Sequence, residues 1–158
     1  MTTSITTFLT YDTQAEEAAK LYTSLFGGKI KETMRYPGGG PKPEGTVLSA
    51  TFELFGQTYI ALNGGPTFTF GAGFSLMVQV DTQEEIDRLW KKLTENGGKE
   101  VQCGWLVDRF GVSWQIVPKQ LGGMLSDKDR AKSGRAMQAM MRMQKLDLAK
   151  LQAAFDGV

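Results

Sequence analysis

The chain has 158 residues, 41% of them hydrophobic and 22% charged, with a formal net charge of +1. That is the length of one soluble domain with a proper core, expected to span 1–158. A near-neutral balance offers no field to phosphate backbones or anionic lipid, so neither nucleic acid nor a membrane is an expected partner. No apolar run reaches the ~18 residues a spanning helix needs, and the opening MTTSITTFLTYD has no basic residue ahead of its apolar part, unlike a secretory signal. The lone cysteine, Cys103, cannot make an internal disulfide, and a cytoplasmic location is expected. There is no histidine at all. The commonest general base and transition-metal ligand are missing, and with them any Ser-His or Cys-His pair.

In chain order, a strand over 5–10 leads to Asp12-Thr13-Gln14-Ala15-Glu16-Glu17. Thr13 with Glu16 has the spacing of a capping box, in which the hydroxyl and the carboxylate each satisfy an orphan N–H of the first turn. Ala15, Ala18, Ala19, Tyr22 and Phe26 then form one helical stripe, stopped by Gly27-Gly28-Lys29. Strands follow over 30–36, 47–54 and 58–62. Between the first two lies Tyr-Pro-Gly-Gly-Gly-Pro-Lys-Pro-Glu-Gly at 36–45, a surface loop that is either a lid or a plain excursion.

The same grammar then recurs. A strand over 74–80 alternates cleanly, with Phe74, Leu76, Val78 and Val80 on one face and Ser75, Met77 and Gln79 on the other. Asp81-Thr82-Gln83-Glu84-Glu85 repeats the box at an offset of 69, and Gly97-Gly98-Lys99 repeats the stop at 70. Strands follow over 100–103, 105–108 and 113–117. The closing turns, Phe55-Gly56-Gln57 and Phe110-Gly111-Val112, are offset by only 55, which places a 15-residue insertion around the 36–45 loop. A helical tail ends the chain: Ser126 with Asp129 caps a helix bearing Met137, Met140 and Met141, and Asp147 caps another, closed by Gly157. The methionine stripe is expected to pack on the sheet or on a partner subunit. The predicted class is therefore α+β, with two tandem βαβββ modules (4–66 and 72–118) forming a cupped mixed sheet, and a tail over 119–157.

Several stretches carry a family resemblance: Ala15-Glu16-Glu17-Ala18-Ala19 with Leu21-Tyr22, Ala61-Leu62-Asn63-Gly64-Gly65-Pro66, Gln102-Cys103-Gly104-Trp105-Leu106, and Asp108-Arg109-Phe110-Gly111-Val112-Ser113-Trp114-Gln115-Ile116-Val117-Pro118, with Met137-Gln138-Ala139-Met140 in the tail. On these the chain resembles the PhnB-like branch of the glyoxalase, or vicinal-oxygen-chelate, superfamily, related to bleomycin-resistance proteins. That branch often carries the label 3-demethylubiquinone-9 3-methyltransferase. In metal-dependent members the resemblance implies ligands from the first and last strands of each module, positions that fall here on Thr7, Ile60, Ser75 and Gln115. Two hydroxyls, an amide and an isoleucine cannot replace the hydration shell of a divalent cation, so no metal and no cofactor are expected. The methyltransferase label meets a similar objection. The first strand-to-helix turn has no glycine, unlike the nucleotide-binding turn of the usual S-adenosylmethionine enzymes.

If those four positions face a cavity, alternation gathers Ser49, Thr51, Glu53, Gln79 and Ser113 with them, beside Leu9, Ile60 and Met77. Such a surface suits a small organic molecule, with Thr7, Ile60, Asn63, Ser75, Met77, Trp105 and Gln115 as binding candidates. Glu53 is either a desolvated general base with a raised pKa or an exposed strand residue. Cys103 is either a reactive thiol near Arg109 or inert packing. Trp114 belongs to the core, and Asp108 and Arg109 pair with each other or cap their turn. The expected function is metal-independent small-molecule binding by a homodimer, as in the drug-sequestering members of the superfamily. The alternative is an isomerase, lyase or transferase using Glu53 or Cys103.

Overall fold

A computed structural model describes residues 3–158 of the chain. They divide into two compact units, one ending at Thr69 and one running Phe70–Val158. The first contains β1 (Thr7–Tyr11), α1 (Ala15–Phe26), β2 (Lys29–Arg35), β3 (Val47–Leu54) and β4 (Gln57–Asn63). Its sheet has the order β1-β4-β3-β2, with β1 parallel to β4 and the other neighbours antiparallel. The second contains β5 (Leu76–Val80), α2 (Gln83–Thr94), β6 (Lys99–Glu100), β7 (Trp105–Val107) and β8 (Ser113–Pro118), ordered β5-β8-β7-β6 with β5 parallel to β8. The duplicated βαβββ module is thus real, strand for strand.

In each unit one sheet face is packed by a helix. Tyr22 of α1 is fully buried, its hydroxyl accepts from the Tyr11 hydroxyl at 3.3 Å, and its ring lies 6.1 Å from that of Phe52. Leu9, Tyr11, Ala50, Phe52, Tyr59 and Ala61 therefore face α1, and burial raises the pKa of the Tyr59 phenol. In the second unit Ile86, Leu89, Trp90 and Leu93 of α2 are buried, as are Val80, Trp114 and Ile116. Burying side chains of this size contributes about 1.5–3 kcal/mol each, which outweighs the local propensities of the strands.

The two capping boxes differ. In the second module it forms: the Thr82 hydroxyl accepts from Glu85 N at 3.2 Å, and Glu85 Oε2 accepts from Asp81 N at 3.3 Å. In the first it does not, and Gln14 is the cap without a side-chain bond. Glu16 is drawn to Lys20 (3.1 Å) and Arg35 (3.5 Å), and Ala15 N donates instead to Asn63 Oδ1 at 2.9 Å. A residue from β4 thus performs the cap that the sequence assigns to Thr13. The Gly27 stop holds, in the left-handed conformation at φ 67°, whereas α2 ends at Thr94 and reaches Gly97 through one 3₁₀ turn, Glu95–Gly97.

The insertion in the first module lengthens β2 and β3, with 7 and 8 residues against 2 and 3 in β6 and β7, as well as the loop between them. That loop is closed on itself: Tyr36 N donates to Thr46 O, Gly45 N to Tyr36 O, and Arg35 Nη1 to Gly45 O.

The tail packs inside its own unit. It forms α3 (Gln120–Leu125), α4 (Arg130–Met141) and α5 (Leu148–Asp156), of which α3 has no cap or stripe in the sequence pattern. Asp129 alone caps α4, without Ser126, and Asp147 caps α5 as expected, with Gly157 closing it at φ 82°. Val117, Leu121, Met124, Ala136, Leu146 and Leu151 make a buried cluster, with Met140 against it. Met137 and Met141 are exposed, so only one member of the methionine stripe packs inward. Gln83 of α2 fastens the tail, donating to Leu146 O and accepting from Leu148 N at 2.8 Å. Lys145 pairs with Asp87 at 2.6 Å and holds its carboxyl below the usual range.

Candidate functional site

The side of the second sheet away from α2 carries most of what the sequence proposed there. Cross-strand register sets Trp105 of β7 beside Gln115 of β8, and Gln115 beside Met77 of β5. Trp105 and Gln115 are half-buried and Met77 is 56% exposed. Ser75 stands just before β5, and its hydroxyl accepts from Gln115 Nε2 at 3.0 Å. The result is an amide–hydroxyl pair flanked by an indole and a thioether. Gln115 Oε1, the second amide hydrogen and the serine hydroxyl hydrogen stay available, which is the equipment for holding a carbonyl or amide group.

On the first sheet the open side holds Phe8, Thr10, Ser49, Thr51, Glu53, Thr58, Ile60 and Leu62, as the pairing of Phe8 with Ile60 and of Ile60 with Thr51 fixes. Thr7 and Leu9 are not among them. Both share their side of β1 with Tyr11, toward α1, and Leu9 is 1% exposed. Phe8, 55% exposed, occupies the place expected of Thr7. The signal was present in the sequence: Leu9 and Tyr11 put two large apolar side chains on one parity, which is the parity a strand buries.

Glu53 is on the open side but does not meet the condition for a general base. Its carboxylate pairs with Lys31 at 3.0 Å, and that hydrogen bond holds its pKa below the ordinary value while it raises that of Lys31. A depressed carboxylate pKa contributes above the unfolded value and is lost as pH falls through the folded one. NMR titration should therefore place Glu53 below an ordinary glutamate, and Lys31→Ala should move it up; an unchanged midpoint would refute the pairing.

Cys103 lies at φ 60°, in a turn whose amides are spent on the tail: Cys103 N donates to Met143 O and Gly104 N to Gln144 O, both at 2.8 Å. Asp108 caps its turn and is 3% exposed. Its Oδ1 accepts from Phe110 N and Val112 N, and its Oδ2 from Trp114 Nε1 at 2.9 Å. Arg109 stacks over the Phe110 ring at 4.6 Å. Trp114 is core, 1% exposed.

Asn63 is a structural clamp as well as a candidate contact. Its Oδ1 caps α1, and its Nδ2 donates to Val47 O at 3.1 Å. It also floors a cleft of about 410 Å³ walled by Asp12, Thr13, Tyr36, Lys42, Thr46 and Pro66. The sequence marked the loop but not this cleft, because its walls come from three separate turns.

The positions implied for a metal do not fit one. Thr7 faces the helix, Ile60 has no donor atom, and Ser75 and Gln115 bond each other. Among the described residues no three His, Cys, Asp or Glu side chains gather. No helix of the described residues is long and apolar enough to cross a membrane.

Comparison with known proteins places this geometry. The family model described as 3-demethylubiquinone-9 3-methyltransferase matches residues 3–117. A solved structure described as a putative 3-demethylubiquinone-9 3-methyltransferase, PhnB protein, from Bacillus cereus is 40% identical, covers 73% of this chain and 99% of its own, and superposes with a TM-score of 0.67. A protein from Pseudomonas aeruginosa is 23% identical, over 74% of this chain and 98% of its own, with a TM-score of 0.60. A genomically encoded fosfomycin resistance protein from Listeria monocytogenes is 11% identical, over 77% and 97%, with a TM-score of 0.52. At those last two identities the likeness is one of fold alone. No curated protein matches the chain. The duplicated βαβββ fold, the family match over 3–117 and the Bacillus cereus relative together show that the chain belongs to the PhnB-like, 3-demethylubiquinone-9 3-methyltransferase-labelled family of the glyoxalase fold.

Proposed function

We propose that the chain binds a small organic molecule without a metal, on the open side of the second sheet. The observation that carries this reading is the row Trp105–Gln115–Met77, with Ser75 bonded to Gln115 at 3.0 Å. A polar pair set among apolar neighbours favours a flat ligand with one carbonyl or amide, stacked on the indole. The methyltransferase label of the family supports less. The mixed sheets have parallel pairs only at β1–β4 and β5–β8, and the β1–α1 turn is Asp12-Thr13-Gln14. The usual S-adenosylmethionine site needs a parallel, doubly wound sheet and a glycine turn, so these residues do not fit that group and no step is derived through it. An enzyme reading through Glu53 or Cys103 is weaker still, since the first is paired with Lys31 and the second belongs to a turn fastened to the tail.

A thermal-shift screen of a metabolite panel tests the proposal. Gln115→Leu should weaken a bound compound about tenfold, the order expected when a hydrogen-bonded site loses its partner. Trp105→Ala should do the same. A hit unaffected by both changes would remove the site, and stabilisation by a divalent cation alone would overturn the metal-free reading. The chain in this reading is cytoplasmic and forms a homodimer. Support for the second copy comes from Phe8 and Met34, which are 55% and 48% exposed on the first unit. Light scattering should return twice the chain mass, and a monomer at micromolar concentration would refute it.

A further inference from the structure

We propose that the cleft of the first unit is a second binding site, independent of the sheet-face site, for a small zwitterion that carries an acid and an amine on a short apolar body. The cleft measures about 410 Å³, and the 36–45 insertion that the second module lacks supplies Tyr36 and Lys42 to its walls. That volume is in the range of roughly 300–1,000 Å³ typical of small-molecule sites.

Three observations specify the class of ligand. First, the walls hold one anion, Asp12, and one cation, Lys42. Several other charges of this unit are paired, as in Glu16 with Lys20 and Arg35, and Glu53 with Lys31. Neither Asp12 nor Lys42 has an ion pair or side-chain hydrogen bond among the described residues. A ligand carrying both charges would satisfy both, whereas a simple anion or a simple amine would leave one unmatched. Second, the hydroxyls of Thr13, Thr46 and Tyr36 on the same walls are also without hydrogen-bond partners there, while the Asn63 amide is spent on Ala15 N and Val47 O. The floor is therefore fixed and the walls are open to a guest. Third, the remaining lining (the Tyr36 ring, Val47 and Pro66) is apolar and suits methylene groups.

The site is also held in shape. Pro37, Pro41 and Pro43 restrict the loop backbone, and the Tyr36–Thr46 and Tyr36–Gly45 hydrogen bonds close it. Little ordering entropy is left to lose when a ligand arrives. Gly64 finishes the rim: a Cβ there would meet Thr10 Cγ2 at 2.6 Å and the Phe68 ring at 2.9 Å, so a larger residue would have to push those side chains aside.

The test is an amide-resolved NMR titration of the full chain with ω-amino acids of graded length, from glycine through γ-aminobutyrate to ε-aminocaproate. Hexanoate and hexylamine serve as singly charged controls. One length should bind several-fold tighter than either control, with saturable shifts at Thr13, Lys42, Thr46, Gly64 and Gly65. Lys42→Ala and Asp12→Ala should each weaken it about threefold to fivefold, the contribution an exposed ion pair supports. Lys42→Ala should not weaken hexylamine binding, and should strengthen it if it changes at all, because it removes a like charge from the wall. Both positions are on the surface, and an unchanged melting temperature would separate loss of binding from loss of fold. Equal affinity for zwitterion and controls, or shifts confined to residues around Gln115, would overturn the assignment and leave the sheet-face proposal standing. Absence of saturable binding by every member of the series would overturn it as well.

Discussion

Replacing Asp108 by alanine is expected to destabilise the protein by about 3–5 kcal/mol, because one carboxylate satisfies three donors in the interior. Asp108 is 3% exposed and takes the N–H groups of Phe110 and Val112 on one oxygen and the indole N–H of Trp114 on the other. Val112 and Trp114 are themselves 0% and 1% exposed, so water cannot replace the lost acceptor without opening the unit. Each orphaned donor costs roughly 1–3 kcal/mol. At about 2–4 °C per kcal/mol, the melting temperature should fall by about 6–20 °C. Asp108→Asn should cost about half as much. The asparagine oxygen can still accept from the two backbone groups, but its NH₂ would meet the Trp114 N–H, donor against donor. Trp114→Phe removes that donor, so the double-mutant cycle of Asp108→Asn with Trp114→Phe should show a favourable coupling of about 1 kcal/mol. Denaturant midpoints read all of this. A cost of Asp108→Ala under about 0.5 kcal/mol would mean that the turn does not depend on the carboxylate.

Gly28→Ala is the second large effect, expected at about 2–4 kcal/mol from overpacking. A Cβ at Gly28 would run into the carbonyl oxygen of Glu53 and lie 2.7 Å from Leu54 Cδ2. The first obstacle is backbone at the end of the β2–β3 ladder, where Lys29 pairs with Glu53, so relief requires moving β3. Its neighbour behaves differently. Gly27 has nothing within 4 Å of its Cβ position, and only its φ of 67° penalises a side chain. Gly27→Ala should therefore cost about 1 kcal/mol. Urea denaturation of the two variants tests the ordering, and equal costs would show that the close approach to β3 relaxes easily.

The glycine pairs show how far the sequence could be read. Their place after a capped, amphipathic stretch identifies a helix stop, and that is local chemistry. Why the second glycine of each pair is glycine is not local in the first module, where the limiting atom belongs to β3. In the second module Gly98 is restricted by Leu93 O and Thr94 Cα at 2.6 Å, a nearby reason for the same residue. The capping boxes repeat the lesson. Asp12–Glu17 and Asp81–Glu85 read nearly alike, yet only Thr82 caps, because Glu16 is held by Lys20 and Arg35 and Asn63 reaches Ala15 first. The missed helix α3 contains Gly122 and Gly123, poor helix formers, and it is held by burying Leu121 and Met124.

By itself the sequence determined the duplicated βαβββ order, the alternation of β5 and β8, the tail helices after Asp129 and Asp147, and the family, since periodicity, caps and stops are set by neighbours in the chain. Tertiary structure alone decided that Glu53 is a paired carboxylate, that the tail folds onto its own second module, and that the insertion walls a cleft. Each of these depends on which distant residue arrives at a given place, and a lysine from the next strand reverses the chemistry without altering any local pattern.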